Sequence, residues 1–236
     1  MQAELFGEDR ADVVLGPSAR LLAGGAGEQA EALIEALLGV AESAPFRHLV
    51  TPGGRRMSVA MTNCGEVGWV SDSSGYRYDP LDPRSGRPWP PMPAIFLDTA
   101  RSAAARAGFA HFSPDACLIN RYTPGARLSL HQDRDEGDLG APIVSISLGL
   151  PAIFLWGGPA RSDRARRLRL LHGDVVVWGG PSRLAFHGVD AIEAGSHPMT
   201  GAVRYNLTFR RARAAIRGEG RARVRPGPRA MIDPEP

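Results

Sequence analysis

Lysine is missing altogether from this chain of 236 residues, so all 28 of its basic side chains are arginine. A GC-rich coding bias accounts for the choice, but its chemical consequence stands: every long-chain cation here is a planar fork suited to bidentate contacts with carboxylate or phosphate. Cysteine is scarce too. Cys64 and Cys117 stand in unrelated contexts, which excludes a disulfide framework and makes the cytoplasm the expected compartment. No apolar run reaches the length of a membrane helix. The opening stretch MQAELFGEDR carries acids where a secretory signal needs an apolar core, so neither membrane nor secretion is expected. The net charge is only +3.

With 43% hydrophobic residues the chain can bury a real core, in one large domain or one domain with an appendage. Ala30, Leu33, Ile34, Leu37, Leu38 and Ala41 follow helical spacing and predict a helix over 28–43, ended by Pro45. Residues 51–92 are rich in Gly, Pro, Ser and aromatics and read as short strands with loops. A second helix is predicted from Pro93 to just before Gly108, with Ile95, Phe96, Ala100, Ala103 and Ala107 on one face. Beyond it, 115–122, 127–133, 142–150, 152–156, 167–171, 174–178 and 203–210 are short apolar, β-branched runs separated by turn signals. Such spacing predicts a mainly β fold, a sandwich or barrel with flanking helices.

His131 and Asp133 lie at the end of the predicted strand 127–133, two residues apart and therefore on one face. One imidazole and one carboxylate are two thirds of a facial triad for iron(II). A bare HxD is common, so its weight depends on a third ligand. Of the histidines downstream, His172 sits in a turn and His197 precedes a proline, whereas His187 follows a strand and turn able to bring it back. Alone, His187 reads equally well as a satisfied core histidine. The segment after it decides between the two. In Val203–Arg210 a period of two sets Arg204, Asn206, Thr208 and Arg210 on one face. A polar face commonly lies on the outside of a sandwich, but two arginines separated by Asn and Thr suit a buried dicarboxylate better. Asn120 and Tyr122 share a face of strand 115–122 and offer a second wall for the same ligand; the alternatives are a strand-end turn residue and a core aromatic.

The order HxD, distant His, then RxNxTxR resembles the AlkB family of 2-oxoglutarate dioxygenases. Asn120-Arg-Tyr, Leu128-Ser-Leu-His-Gln-Asp, Ile143-Val-Ser-Ile-Ser-Leu-Gly-Leu-Pro, His172-Gly-Asp-Val-Val-Val-Trp-Gly-Gly and Arg204-Tyr-Asn-Leu-Thr-Phe-Arg carry the resemblance, joined by Thr51-Pro-Gly-Gly and Met57-Ser-Val-Ala-Met-Thr-Asn-Cys-Gly. It spans roughly 45–212. It implies a double-stranded β-helix, or jelly roll; iron(II) held by His131, Asp133 and His187; and 2-oxoglutarate held by Asn120, Tyr122, Arg204, Asn206 and Arg210, with dioxygen consumed. The implied reaction oxidises N-alkyl groups on 1-methyladenine or 3-methylcytosine and releases formaldehyde and succinate. The implied layout is an N-terminal helical extension (1–44), a nucleotide-recognition lid (45–92), a catalytic core (93–213) and a flexible Arg-rich tail (214–236).

For the substrate side, a flipped base needs flat partners, and Trp69 with His131 can supply them. Asp135 can face a cationic methylated base, although Asp133, Asp135, Glu136 and Asp138 also read as a solvated acidic loop. Thr51, Tyr76 and Arg161 resemble nucleotide-contacting positions, with Tyr78 the companion of Tyr76; such tyrosines can instead pack the lid. Alkylated DNA is the expected partner, single strands ahead of duplex, with RNA the alternative and a monomer the expected state. A metal-binding jelly roll without enzymatic activity would not need Arg204 and Arg210, and a plain nucleic-acid-binding module would not need the triad. In the stretch 210–229 the arginines face a single acid, Glu219. Removing the tail is expected to flatten the salt dependence of DNA affinity, each lost phosphate contact reducing the log–log slope by about 0.9. A filter-binding series across salt concentrations with an unchanged slope would assign the tail to solvent.

Overall fold

The computed structural model describes residues 10–214; most of the Arg-rich tail therefore lies outside the described residues. The chain opens with strands β1 (Val13–Gly16) and β2 (Ala19–Leu22), followed by helix α1 (Ala30–Ser43). Next come β3 (Arg47–Val50), β4 (Arg56–Gly65), the pair β5 (Gly68–Asp72) and β6 (Gly75–Asp79), and helix α2 (Ala94–Arg106). The remaining strands are β7 (Ala116–Tyr122), β8 (Leu128–His131), β9 (Ile143–Gly149), β10 (Ala152–Trp156), β11 (Arg166–Leu170), β12 (Val175–Trp178), β13 (His187–Val189) and β14 (Arg204–Arg210). The predicted helices and the seven predicted strands from 115 onward are all present, within two residues at their ends.

The strands form a major sheet in the order β1-β2-β12-β9-β14-β7-β4-β3, a minor sheet β11-β10-β13-β8, and the separate hairpin β5-β6. Two facing antiparallel sheets make the expected jelly roll. The central strands of the major sheet are buried on both faces, because the sheet is covered on both sides. On the outer side, Ile119, Val144, Ile146, Leu148, Val177, Leu207 and Phe209 pack with Leu33 and Leu37 of α1 and Phe96, Ala100 and Ala103 of α2. Phe96 meets Phe209 edge-on at 6.0 Å. On the inner side, Leu118, Tyr122, Ile143, Val176 and Trp178 pack against Phe154, Trp156 and Val189 of the minor sheet. Leu38, placed on the apolar face of α1 by spacing, is exposed, and Val40 is buried instead. Among the described residues no helix is long and apolar enough to cross a membrane.

The N-terminal part differs from the expectation. Residues 13–22 are not helical; they form two strands, and β2 pairs with β12 in register Val175↔Leu22 to Trp178↔Ala19. Nor is 45–92 wholly a lid, since β3 and β4 complete the far edge of the major sheet and only β5-β6 stands apart. The sequence of β4 hid its length because Thr62 and Asn63 interrupt its apolar residues. Both are buried, and both are satisfied locally: Thr62 Oγ1 donates to the Ala44 carbonyl at 2.6 Å, and the Asn63 amide exchanges two 3.0 Å bonds with the backbone of Trp69. Asn63 thereby fixes the start of the hairpin onto the sheet.

Gly149, at the end of β9, has φ +90°, and a Cβ there would lie 2.3 Å from Thr200 Oγ1 and 2.4 Å from the Val203 carbonyl. This contact seats the segment that leads into β14. Gly149→Ala is expected to lower stability by about 2 kcal/mol or more, from backbone strain plus displacement of that segment. Urea unfolding of the two proteins checks it; equal midpoints would show that the segment yields freely.

Candidate active site

Cross-strand register builds the centre of the cavity between the sheets. β8 and β13 pair with His131 directly opposite His187. The two strands approach closely at Gly188, where a Cβ would lie 2.7 Å from the Leu128 carbonyl; glycine is what the close approach requires. Asp133 follows His131 by two residues and returns to the same face. The ligating atoms of His131, Asp133 and His187 lie within 4.8 Å of one another. His131 Nε2 is 3.5 Å and His187 Nε2 is 3.8 Å from Asp133 Oδ1. Each ring is oriented from behind, with His131 Nδ1 2.8 Å from the Ser129 carbonyl and His187 Nδ1 3.0 Å from the Ala185 carbonyl. Both Nδ1 atoms therefore carry the proton, and both Nε2 lone pairs point inward with a carboxylate oxygen, as a two-histidine, one-carboxylate metal site requires.

Charge and burial keep two of the three, Asp133 and His187, deprotonated. Burial alone would raise the Asp133 pKa, but the Arg210 guanidinium, the His131 hydrogen bond and the His187 ring hold it well below the usual carboxylate range. Arg210 donates from Nε and Nη2 to Asp133 Oδ2 at 2.9 and 2.6 Å, leaving Oδ1 to the histidines. Burial, together with the neighbouring His131, pushes His187 down to about 4, so it is neutral at physiological pH. At His131 burial acts downward too, but the hydrogen bond and charge of Asp133 outweigh it and raise the pKa.

The opposite wall is the inner face of the major sheet. Arg204, Asn206, Thr208 and Arg210 point into the cavity and are buried, not exposed as on an ordinary sandwich exterior. β14 and β7 pair with Asn206 opposite Asn120 and Arg204 opposite Tyr122. Asn120 Nδ2 donates to Asn206 Oδ1 at 3.1 Å, and the Arg204 guanidinium lies 4.9 Å from the centre of the Tyr122 ring. Arg204 is 1% exposed, and burial lowers its pKa without discharging it. Its Nη2 donates to Ser147 Oγ, while Nε and Nη1 have no partner, and neither does Asn120 Oδ1. Buried, unpaired guanidinium nitrogens are costly. A carboxylate accepting from both would satisfy them, and the Tyr122 phenol, pushed up by burial despite Arg204, stays protonated as a further donor. The residues present thus fit both iron(II) and a dicarboxylate.

The cavity measures about 740 Å³ and opens between the β5-β6 hairpin and the minor sheet; Thr51, Trp69, Tyr76, His131, Asp135 and Arg161 all line it. Trp69 stacks on Tyr76 with ring centres 5.5 Å apart and donates from Nε1 to Asp135 Oδ2 at 3.1 Å. Arg161 donates to the Leu130 carbonyl at 2.9 Å and covers Phe186. Tyr78 is the exception among the expected substrate residues. It is absent from the cavity wall, and its hydroxyl is bonded to Glu136. Glu136, one of a run of acids in the sequence, also belongs to the site, as do Arg183 and Trp178. Arg183 is 3% exposed and donates to the Asp133 and Ala141 carbonyls as well as to Glu136. The Trp178 ring packs edge-on against His187 at 4.9 Å. No local pattern distinguishes these residues; only the tertiary arrangement does.

A facial triad facing a buried dicarboxylate cradle, inside a jelly roll, defines a class of metal-dependent oxygenases. The sequence profile of the 2OG-Fe(II) oxygenase superfamily matches residues 20–210, so the likeness starts well before residue 45, where sequence inspection placed it. The alpha-ketoglutarate-dependent dioxygenase AlkB of Salmonella typhimurium is 58% identical over 84% of this chain and 92% of its own. That of Escherichia coli is 61% identical, over 78% and 85%. The solved structure of OsALKBH1 superimposes with a TM-score of 0.76 at 30% identity, covering 85% of this chain and all of that one. The chain belongs to the AlkB family within the 2OG-Fe(II) oxygenase superfamily, as an alpha-ketoglutarate-dependent dioxygenase using Fe(II), 2-oxoglutarate and O2.

The His187 pKa carries a stability consequence for the metal-free protein. Depressed from 6.5 to about 4, it contributes stability present above pH 6.5 and lost as pH falls toward 4. His131, with its raised pKa, works in the opposite sense and partly masks the loss. Comparing native protein with His187→Gln removes most of that masking. Between pH 7.5 and 4 the native protein is expected to lose about 3 kcal/mol more stability than the variant. Parallel urea titrations that kept a constant difference would show that His187 titrates normally.

Proposed function

We propose that this enzyme oxidatively dealkylates N-alkylated bases such as 1-methyladenine and 3-methylcytosine in DNA, preferring single strands and working as a monomer. The observation that carries this reading is the open cavity beside the triad, walled by Trp69 and Asp135 and rimmed by arginine. Arg55, Arg56, Arg127, Arg134 and Arg161 all border it, an arrangement suited to backbone phosphates. Trp69 offers an aromatic face and Asp135 a carboxylate, which together favour a flat cation over a neutral base. A base must leave its stack to enter, which costs least in single strands.

In this reading His131, Asp133 and His187 hold the metal through Nε2, Oδ1 and Nε2. Arg204, Asn120, Asn206 and Tyr122 grip one end of 2-oxoglutarate, and Arg210 stands near the end that faces the metal. The chemistry supplied there is oxidation of the N-alkyl carbon by dioxygen, coupled to conversion of 2-oxoglutarate into succinate and carbon dioxide, after which the alkyl carbon leaves as an aldehyde. The protein's own contribution is position and exclusion of water. Trp69 and His131 flank the base, Asp135 faces its charge, and Thr51, Tyr76 and Arg161 hold the adjoining nucleotide.

The test is product analysis with an oligonucleotide carrying one 1-methyladenine, in the presence of iron(II), ascorbate and 2-oxoglutarate. Native protein should release formaldehyde and succinate in equal amounts, and His131→Ala neither. Succinate without formaldehyde would discard the alkylated base as substrate; a faster reaction on the same lesion in RNA would replace DNA by RNA.

A further inference from the structure

Tyr78 and Glu136 are left without a role by the reading above, yet Tyr78 is half-buried, Glu136 is buried, and the two are directly joined. Tyr78 sits near the end of β6, in the hairpin that roofs the cavity. Its ring packs against the cluster of Val67, Ala116 and Ala212, and its hydroxyl donates to Glu136 Oε1 at 2.7 Å. Burial raises the phenol pKa well above its ordinary value, so the group remains a donor. The same Glu136 oxygen lies 3.3 Å from Arg210 Nε, and the other oxygen accepts from Arg183 Nη2 at 3.0 Å. Arg210 in turn holds Asp133 Oδ2. An unbroken series of polar contacts therefore runs from the hairpin to the metal carboxylate: Tyr78, Glu136, Arg210, Asp133.

The charges in this series balance. Two buried guanidinium groups, Arg183 and Arg210, face two buried carboxylates, Glu136 and Asp133, and buried ions persist only in such company. Glu136 and Asp133 compete for Arg210, which leans on one oxygen of each. If Glu136 lost its charge, Arg210 would have Asp133 as its only remaining anion among the described residues. Its hold on the metal carboxylate would tighten, and a negative charge near the metal would be gone. Both effects weaken cation binding.

We propose that Glu136 is a positioning residue with two simultaneous tasks: sharing Arg210 keeps Asp133 available to the metal, and accepting from Tyr78 ties the seating of the β5-β6 hairpin to the assembled metal site. The proposal moves Tyr78 from nucleotide contact to latch. It rests on His131, Asp133 and His187 being the metal ligands, but it makes no use of the identity of the nucleic acid.

The experiment uses metal-free full-length protein titrated anaerobically with Co(II) in the presence of 2-oxoglutarate. It reads Co(II) affinity from visible absorbance and hairpin protection from hydrogen exchange over residues 68–79. In native protein, loading should slow exchange in the hairpin. Glu136→Gln keeps the volume and an acceptor for Tyr78 but loses the charge, and should bind Co(II) about ten-fold more weakly or worse. Tyr78→Phe should bind Co(II) within about two-fold of native, as expected for a residue that touches no ligand, while its hairpin no longer responds to loading. A Glu136→Gln variant with native affinity would overturn the first task. A Tyr78→Phe hairpin that still gains protection on loading would overturn the second. Should Glu136→Gln fail to fold, the Tyr78→Phe arm still decides the latch, and Glu136→Asp, which retains the charge, should then keep Co(II) affinity closer to native. Failure of native protein to bind Co(II) would remove the metal site and this proposal with it, whereas failure of the dealkylation assay alone would leave both standing.

Discussion

A carboxylate buried at the bottom of a protein cavity can exist as an anion only if something compensates it, and at Asp133 that compensation is Arg210. Without the guanidinium, burial would drive Asp133 toward its neutral acid, which is a poor ligand for a divalent cation. With it, the two carboxylate oxygens divide their duties, Oδ2 to Arg210 and Oδ1 toward His131 and His187. The rest follows from supporting that arrangement. Arg210 needs a buried place, which β14 provides on an inward polar face. That face needs satisfied neighbours, which Ser145, Ser147 and Asn120 provide. Glu136 and Arg183 complete the charge balance.

Much of this was legible in the sequence because strand period is a strict rule. Residues two apart on a strand share a face, so His131 with Asp133, Asn120 with Tyr122, and Arg204 with Asn206 and Arg210 could be grouped before any coordinates. What period cannot reveal is which face turns inward, and that was settled by pairing: only the register of β14 with β7 sets Arg204 against Tyr122 and Asn206 against Asn120. The misread segments have equally specific causes. β1 and β2 are four residues each, too short for a pattern. β4 carries two buried polar side chains that bond to their own surroundings and so break the apolar run. Tyr76 and Tyr78 share a face of β6 but stand at different places along it, so Tyr76 lines the cavity while Tyr78 reaches Glu136, a difference the period cannot show.

Asn63 and Glu136 grip the hairpin from opposite sides. Asn63 reaches out of β4 to the backbone of Trp69, and Glu136 takes the hydroxyl of Tyr78. Trp69 is therefore fixed along its main chain by one strand of the major sheet, while its indole is aimed by Asp135. A flat ligand stacking on Trp69 would then cost that side chain little conformational entropy, which favours binding in the way that any preorganised surface does.

The division of labour between the two sheets has a mechanical side. His131 and His187 stand on β8 and β13 of the minor sheet and Asp133 in the loop after β8, whereas Asn120, Tyr122, Arg204 and Asn206 stand on β7 and β14 of the major sheet. In the reading proposed above, a diacid reaching from the triad to Arg204 would bridge the two layers like a rivet, so its binding should resist any widening of the gap between them.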